Sequence, residues 1–384
     1  MRLLNQIIAV TWLNLRNLPQ RLGSSTVAII GVAAVVLVFA AVLSMANGFE
    51  RTMLGAGSED TAIILRSGAT SELSSGLGNS QVLIVETAPG VLKDGDKPMM
   101  SAELYVVVDV KKKSNNAEAN VPFRGIQPGA FDVRQDVTLA EGRMFEPGKN
   151  EIVVGRSAQQ EFLGLDTGAT IRFGQTEWSV VGVFDAAGSV TESELWTDVR
   201  VLQGAYRRGN SFQSVRVKLE SPDAITELEA ALEDDPRISA DVTSEKEYYA
   251  GQAAGLTQFI KLVGYPLTVL MAIGAVFGAL NSMYSSVSVR GKEIATLRAL
   301  GFGPFPILVS TIVESTLLAL IGGILGGAIA FLVFNGFQVS TLGASFSQVV
   351  FDFAVTPDLL IQGIYAALII GAFGGLFPAI RAAR

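Results

Sequence analysis

Hydrophobic positions fall into four long runs nearly free of charge, at about Ser24–Met45, Leu262–Tyr284, Pro306–Phe334 and Leu359–Ala379. Each is long enough to cross a bilayer, which needs roughly 20 apolar residues at about 1.5 Å per residue. The third exceeds that need, so it is expected to tilt or to extend into the headgroups. Between the first and second runs the chain is polar. There the short β-branched runs Gln81–Glu86, Leu104–Val110, Glu151–Val154, Thr170–Phe173, Trp178–Phe184, Ser214–Leu219 and Ile238–Thr243, bounded by Gly, Pro, Asp or Asn, predict strands. A helix is predicted from Ser221 to Leu232, with Ser221 as cap, Pro222 in the first turn, and Ile225, Leu228 and Leu232 on one face.

Ahead of the first run, residues 3–18 carry Leu4, Ile8, Trp12 and Leu15 at helical spacing, with Asn5, Asn14, Arg16 and Asn17 elsewhere around the wheel. This predicts an amphipathic helix lying in the membrane interface. The alternative, direct continuation into the first span, is opposed by Pro19 and Gly23, which favour a break. A secretory signal is a second alternative, with Ser44-Met45-Ala46 resembling a cleavage site. A run of about 22 apolar residues is too long for a signal core of roughly 7–15.

Composition agrees with a membrane protein: 49% of the 384 residues are hydrophobic and the mean hydropathy is +0.41. The chain has neither Cys nor His, which removes thiol and imidazole chemistry and the usual zinc and haem ligands. Residues 48–261 hold 21 basic and 32 acidic residues, a net −11, against 8 basic and 4 acidic elsewhere, +4. An acidic globular segment excludes nucleic acid as the expected partner. The basic residues Arg2, Arg16 and Arg21 precede the first span, Arg290, Lys292 and Arg298 lie between the second and third, and Arg381 and Arg384 follow the fourth. Loop 335–358 has Asp352 and Asp358 but no Lys or Arg. By the positive-inside rule both termini are expected in the cytoplasm and 48–261 outside it.

The expected fold class is thus membrane α-helical, with four transmembrane helices and a large mixed α/β extracytoplasmic domain inserted between helices 1 and 2. Its expected divisions are an interfacial helix at 1–23, the first span at 24–47, the α/β domain at 48–261, and the remaining spans at 262–384. Lys111–Lys113 with Ser114, Asn115 and Asn116 reads as a solvated loop between strands. The Gly-rich stretch Ser67–Ser80 lacks a Lys-Ser/Thr ending and a predicted following helix, so it does not read as a phosphate loop, and no G-x-x-x-x-G-K-[ST] sequence occurs anywhere. Nucleotide hydrolysis is therefore expected from a partner.

The most informative segment follows the second span. From Arg290 to Gly301 the chain reads Arg-Gly-Lys-Glu-Ile-Ala-Thr-Leu-Arg-Ala-Leu-Gly. Ile294, Leu297 and Leu300 recur at helical spacing, Arg290, Glu293 and Arg298 supply charge, and Gly301 can end the helix ahead of Pro304 and Pro306. A short amphipathic helix at about 288–301 is expected, suited to a partner's groove. The positive-inside rule alone would also permit a basic, partly helical loop here. The segment closely resembles the MacB/FtsX-like ABC transporter permeases, whose loop reads R-x-x-E-I-x-x-L-R-A-L-G. Glu314–Gly327 resembles that family's third span and Gly371–Arg384 its last span and exit. Arg124–Ile126, Glu151–Gly155 and Trp178–Phe184 are similar to its periplasmic core. Unlike MacB itself, the chain carries no fused ATPase, and it stops at Arg384 where many relatives continue.

The resemblance implies an inner-membrane permease without a fused ATPase. A separate ABC ATPase, carrying ATP and Mg, would dock on Arg290, Glu293, Ile294, Leu297, Arg298, Leu300 and Gly301. A second permease copy is expected, along with a possible periplasmic adaptor and membrane lipid. The chain itself is expected to be non-catalytic and to hold no cofactor. The implied work is export or extraction of a substrate, or, in the FtsX-like alternative, regulation of a cell-wall hydrolase without transport. An intramembrane enzyme is unsupported, because no span presents a paired catalytic constellation. Gly274/Gly278 and Gly322/Gly326 are small-xxx-small pairs that permit close helix approach, although glycine is in any case common in membrane helices. Glu314, expected near the cytoplasmic end of its span, is expected to snorkel or to bond a neighbouring helix.

Overall fold

The structure is a computed structural model that describes residues 2–16, 22–134, 136–343 and 345–384. It divides into two compact units: a helical unit, residues 1–47, 258–337 and 353–384, and a sheet unit, residues 48–257 and 338–352.

Among the described residues, four helices are long and apolar enough to span a membrane: Leu22–Leu54, Glu245–Val289, Pro304–Phe334 and Pro357–Ala383. We call them the first to fourth span helices; residues 48–54 of the first and 245–257 of the second belong to the sheet unit, outside the membrane-spanning part. Pro304 and Pro357 each open a helix in the first turn, where a missing N–H costs nothing. The amphipathic helix is present as Arg2–Arg16. Its stripe of Leu4, Ile8 and Trp12 is exposed, while Val10 and Asn14 are buried, and the Asn14 amide donates to the Ser310 hydroxyl of the third span helix. The break expected at Pro19 lies outside the described residues. Gly23, expected to favour that break, instead lies within the first span helix, near its start.

The helical unit is packed through small residues. A Cβ added to Gly322 or Gly326 of the third span helix would meet the Ile29 and Ala33 carbonyls of the first at 2.6 and 2.4 Å. One added to Gly371 or Gly375 of the fourth would meet Ala319 or Ser315 of the third at 2.5–2.6 Å. Only hydrogen fits at such crossings, and helix backbones then approach closely.

Ten described strands form the main sheet of the other unit. In chain order these are β1 (Thr61–Arg66), β2 (Met100–Lys111), β3 (Glu118–Ile126), β4 (Thr138–Gly142), β5 (Glu151–Gly155), β6 (Thr170–Phe173), β7 (Thr176–Asp185), β8 (Leu195–Asp198), β9 (Ser214–Lys218) and β10 (Ala240–Ser244). The order is β10-β1-β9-β2-β3-β8-β5-β7-β4, with β6 paired to β7. The β5–β7 and β3–β8 pairs are parallel and the rest antiparallel. Strands β9 and β10 flank β1 and are joined by helix Ala224–Glu233, a split β-α-β. One apolar core runs under most of the sheet, and a smaller one gathers Ile126, Val153, Phe184 and Trp196.

Three local expectations are corrected. Gln81–Glu86 is helical, within Asn79–Thr87: Val82 and Val85, three apart, both face the core, and the Gln81 Oε1 reaches back to accept from the Gly78 N–H at 2.9 Å. A helix therefore does follow the Gly-rich stretch 67–80, and the missing G-x-x-x-x-G spacing and Lys-Ser/Thr ending set it apart from a phosphate loop. Ser221 is not a cap, because Ser221–Asp223 form a turn whose carbonyls accept from Ala224, Ile225 and Thr226, and the helix starts at Ala224 with Asp223 in the cap position.

Segment 335–358 also carries more order than a loop. Strands β11 (Gln338–Leu342) and β12 (Gln348–Asp352) form a hairpin that belongs to the sheet unit, which 48–261 therefore does not fully contain. Val350 joins the main core and Phe351 meets Phe49 edge-on at 5.4 Å. The Ser347 hydroxyl lies 2.8 Å from that of Tyr105, and the Ser193 hydroxyl accepts from the Val350 N–H at 3.0 Å.

Candidate functional site

Between the second and third span helices the chain turns once and runs through a short helix, Gly291–Ala299. The second span helix continues to Val289, further than the apolar run suggests, because Ser285–Ser288 are compatible with helix although not with hydrocarbon. Arg290 is the elbow, with φ −86° and ψ 2°. Its N–H donates back to Ser286 and its carbonyl accepts from Ile294 at 2.9 Å, so one residue closes one helix and opens the next. At the far end Gly301 takes φ +90°. The Gly301 and Phe302 N–H groups return to the Arg298 and Leu297 carbonyls at 3.0 and 3.1 Å, a Schellman closure that favours glycine.

The seven residues expected to couple an ATPase divide by burial. The Arg290 guanidinium is buried and donates to Glu314 Oε2 at 2.5 Å, while Glu293 Oε2 lies 3.8 Å from its Nε. Ile294 is half-buried against Val287, Ile307 and Ala382, one from each of the last three span helices. Leu297 is half-buried. Arg298 is exposed and donates to the Ala383 carbonyl at 2.9 Å. Leu300 is 72% exposed, and Glu293 and Gly301 are exposed with it. The near half of the motif thus holds the helix to its own chain, and the far half presents an apolar side chain to whatever lies beyond.

Glu314, singled out as a costly polar residue, is the partner of Arg290. Of the two glycine pairs, Gly322/Gly326 is packed as described, whereas nothing lies within 4 Å of a Cβ added to Gly274 or Gly278.

A second charged constellation was not read from the sequence. Inside the sheet unit Arg124, Arg134 and Arg216 meet Glu72, Glu103, Glu194 and Glu245, all nearly or fully buried. Arg124 is bidentate to Glu194 at 2.7 and 2.7 Å and to Glu72 at 2.6 and 2.9 Å. Arg134 is bidentate to Glu103 at 2.6 and 2.7 Å. Arg216 donates to Glu103 at 2.6 Å, to Glu72 at 3.0 Å and to Glu245 at 2.8 Å. The Tyr105 ring lies 5.0 Å from the Arg124 guanidinium. Burial pushes the Glu72 and Glu103 carboxyls up, but the surrounding guanidiniums outweigh it, leaving Glu72 well below the usual range and Glu103 at about 2. For Glu245 burial wins over Arg216 and its pKa is raised. Four carboxylates face three guanidiniums, and this one bears the imbalance. Every carboxylate here is engaged by arginine, so the cluster is a structural tie between strands rather than an open site.

Four span-length helices with an α/β unit inserted between the first and second define a multi-pass membrane protein. The MacB-like periplasmic core domain matches residues 25–235 and the FtsX-like permease C-terminal matches 267–384; the chain belongs to this MacB/FtsX-like family of ABC transporter permeases. Curated relatives include the "Macrolide export ATP-binding/permease protein MacB 1" of Aeromonas hydrophila, 25% identical over 93% of this chain and 55% of that protein. The MacB of Vibrio parahaemolyticus shows the same identity and coverage, so the chain spans about half the length of the curated relatives it matches. Among solved structures, the periplasmic region of MacB from Actinobacillus actinomycetemcomitans aligns with 50% of this chain and 92% of that one, at 17% identity and a TM-score of 0.37. The extracellular domain of the transporter YknZ from Gram-positive bacteria aligns with 48% and 100%, at 17% identity and 0.36.

Proposed function

We propose that this permease converts ATP hydrolysis, performed by an ATPase not contained in the 384 residues, into movement of its sheet unit, for export or extraction of a substrate. The observation that carries the reading is the short helix Gly291–Ala299, anchored by Arg290 and Ile294 and presenting Leu300 outward. Arg298 and Lys292 add positive charge on the same segment, which supports a cytoplasmic position for it under the positive-inside rule. A second copy would cover the second span helix, whose apolar stretch is 11% buried within the chain against 39% for each of the other three. The Gly274/Gly278 stripe lies there.

The test is Leu300→Asp, co-expressed with a candidate ABC ATPase partner. A charge in an apolar contact costs roughly 2 kcal/mol or more, so co-purification should fall at least about thirty-fold by the usual 1.4 kcal/mol per decade. Since Leu300 is 72% exposed in its own chain, insertion and folding should be unchanged. Undiminished co-purification would remove the docking reading. For orientation, a cysteine at Ser114, in a chain with no other, should react with an impermeant thiol reagent in intact spheroplasts. Labelling only after lysis would reverse the topology. A regulator of a cell-wall hydrolase would share both results and differ in co-purifying that hydrolase.

A further inference from the structure

We propose that the Arg290–Glu314 ion pair is the positioning joint of the permease: it locks the elbow to the third span helix, so that force on Gly291–Ala299 moves the second and third span helices together. The proposal rests on the coupling reading above and concerns residues that would not touch the ATPase.

The geometry is specific to an elbow. Arg290 has backbone hydrogen bonds into both the helix before it and the helix after it, while its side chain bonds a third element, Glu314. Glu314 lies about 15 Å along its helix from Pro304 at the usual rise per residue, and both charges are about 5% exposed or less. A buried pair of this kind is a poor source of net stability, because taking two charges out of water costs about as much as their attraction returns, and apolar residues would serve as well. What an ion pair does that leucines do not is fix one direction and one distance. Breaking it leaves an uncompensated charge, so the joint resists sliding where an apolar contact would slip.

The surroundings bear this out. Arg290 Nε is buried without a hydrogen-bond partner among the described residues, and Glu293 Oε2 stands 3.8 Å from it. The guanidinium gives its hydrogen bond to the third span helix, and Glu293, on the helix that follows, holds the same group in a longer ion pair. Ile294 adds apolar contact to the last three span helices at the same end, and a Ser310–Asn14 bond ties the amphipathic helix to the third span helix one turn from Glu314.

The experiment uses the full-length permease with Ala299→Cys as its sole cysteine, carrying a nitroxide label, in four backgrounds: wild-type, Glu314→Gln, Arg290→Gln and the exchanged pair Arg290→Glu with Glu314→Arg. Electron paramagnetic resonance reports the mobility of the short helix without any ATPase. Both single variants should shift at least half of the label to a mobile component, and the exchanged pair should recover most of the immobile one. In the unlabelled proteins, Glu314→Gln should still co-purify with the ATPase within about three-fold of wild-type but lose at least ten-fold in permease-stimulated ATP hydrolysis, with recovery in the exchanged pair. Tryptophan-fluorescence melting of the sheet unit, which holds Trp178 and Trp196, should be unmoved in all four. Equal mobility in wild-type and Glu314→Gln, or an exchanged pair no better than either single variant, overturns the joint. If Leu300→Asp abolishes co-purification while Glu314→Gln keeps full stimulation, the joint fails and the docking reading stands. If Leu300→Asp binds normally, the docking reading fails, and the label mobility still decides whether the pair pins the elbow.

Discussion

Arg216→Met separates the ionic core of the sheet unit from its apolar core. Methionine fills much of the arginine's space without its charge, so the cavity term is small. The loss falls on Glu245, which gives up its guanidinium donor at 2.8 Å, whereas Glu103 keeps Arg134 and Arg124, and Glu72 keeps Arg124. Leaving one member of a buried pair uncompensated costs about 3–5 kcal/mol. At about 2–4 °C per kcal/mol for a unit of this size, the melting midpoint should fall by about 6–20 °C. Burial already raises the Glu245 pKa, so without Arg216 the carboxyl is expected to take up a proton, and the loss should be smaller at pH 5 than at pH 8. Arg216→Met with Glu245→Gln should recover at least about 1 kcal/mol, because the double variant no longer buries a lone charge. Tryptophan fluorescence against temperature measures this in the intact protein. A fall below about 3 °C, or no recovery in the double variant, would show that water reaches these groups and that the dry-network argument is wrong.

Two further outcomes follow from the geometry. The Glu103 carboxyl, held at about 2 against an ordinary 4.5, contributes about 3 kcal/mol above pH 4.5 that is lost as the pH falls towards 2; melting at pH 7, 4.5 and 3 should show this decline, and Glu103→Gln, already destabilised at pH 7, should show less of it. Gly326→Val drives a Cβ into the Ala33 carbonyl, at 2.4 Å, and should cost about 1–3 kcal/mol of span packing, read as reduced yield of detergent-stable protein, whereas Gly278→Val meets nothing within 4 Å in its own chain and should leave packing within one chain unchanged, disturbing only the contact with a second copy.

The span helices were legible because an apolar run of bilayer length has few other readings, and the order of span, inserted α/β segment and three more spans follows from the hydropathy alone. The elbow helix was legible from its motif and from Gly301, although its division into an anchoring and a presenting half was not, since spacing does not reveal which face meets the rest of the chain. Gln81–Glu86 misled because a run of Val, Leu and Ile satisfies a strand and one buried face of a short helix equally. The ionic core was hidden by distance along the chain, because Glu72, Glu103, Glu194 and Glu245 lie on separate segments. A signal was nevertheless present in Val215-Arg216-Val217, where arginine interrupts an apolar strand. A strand buried on both faces, as this one is, admits a charge only if it is paired.

The hairpin 338–352 bears on how the protein is made. The sheet unit takes its last piece from beyond the third span helix, and Val350 fills part of its core. Synthesis from the N-terminus therefore leaves residues 48–257 translated, with the places of Val350, Phe351 and Ser347 open, until the third span has been inserted and the hairpin delivered. Completion of the sheet unit is thus tied to correct threading of the helices that follow it. A chain that misinserted its third span would leave the sheet unit without Val350 in its core.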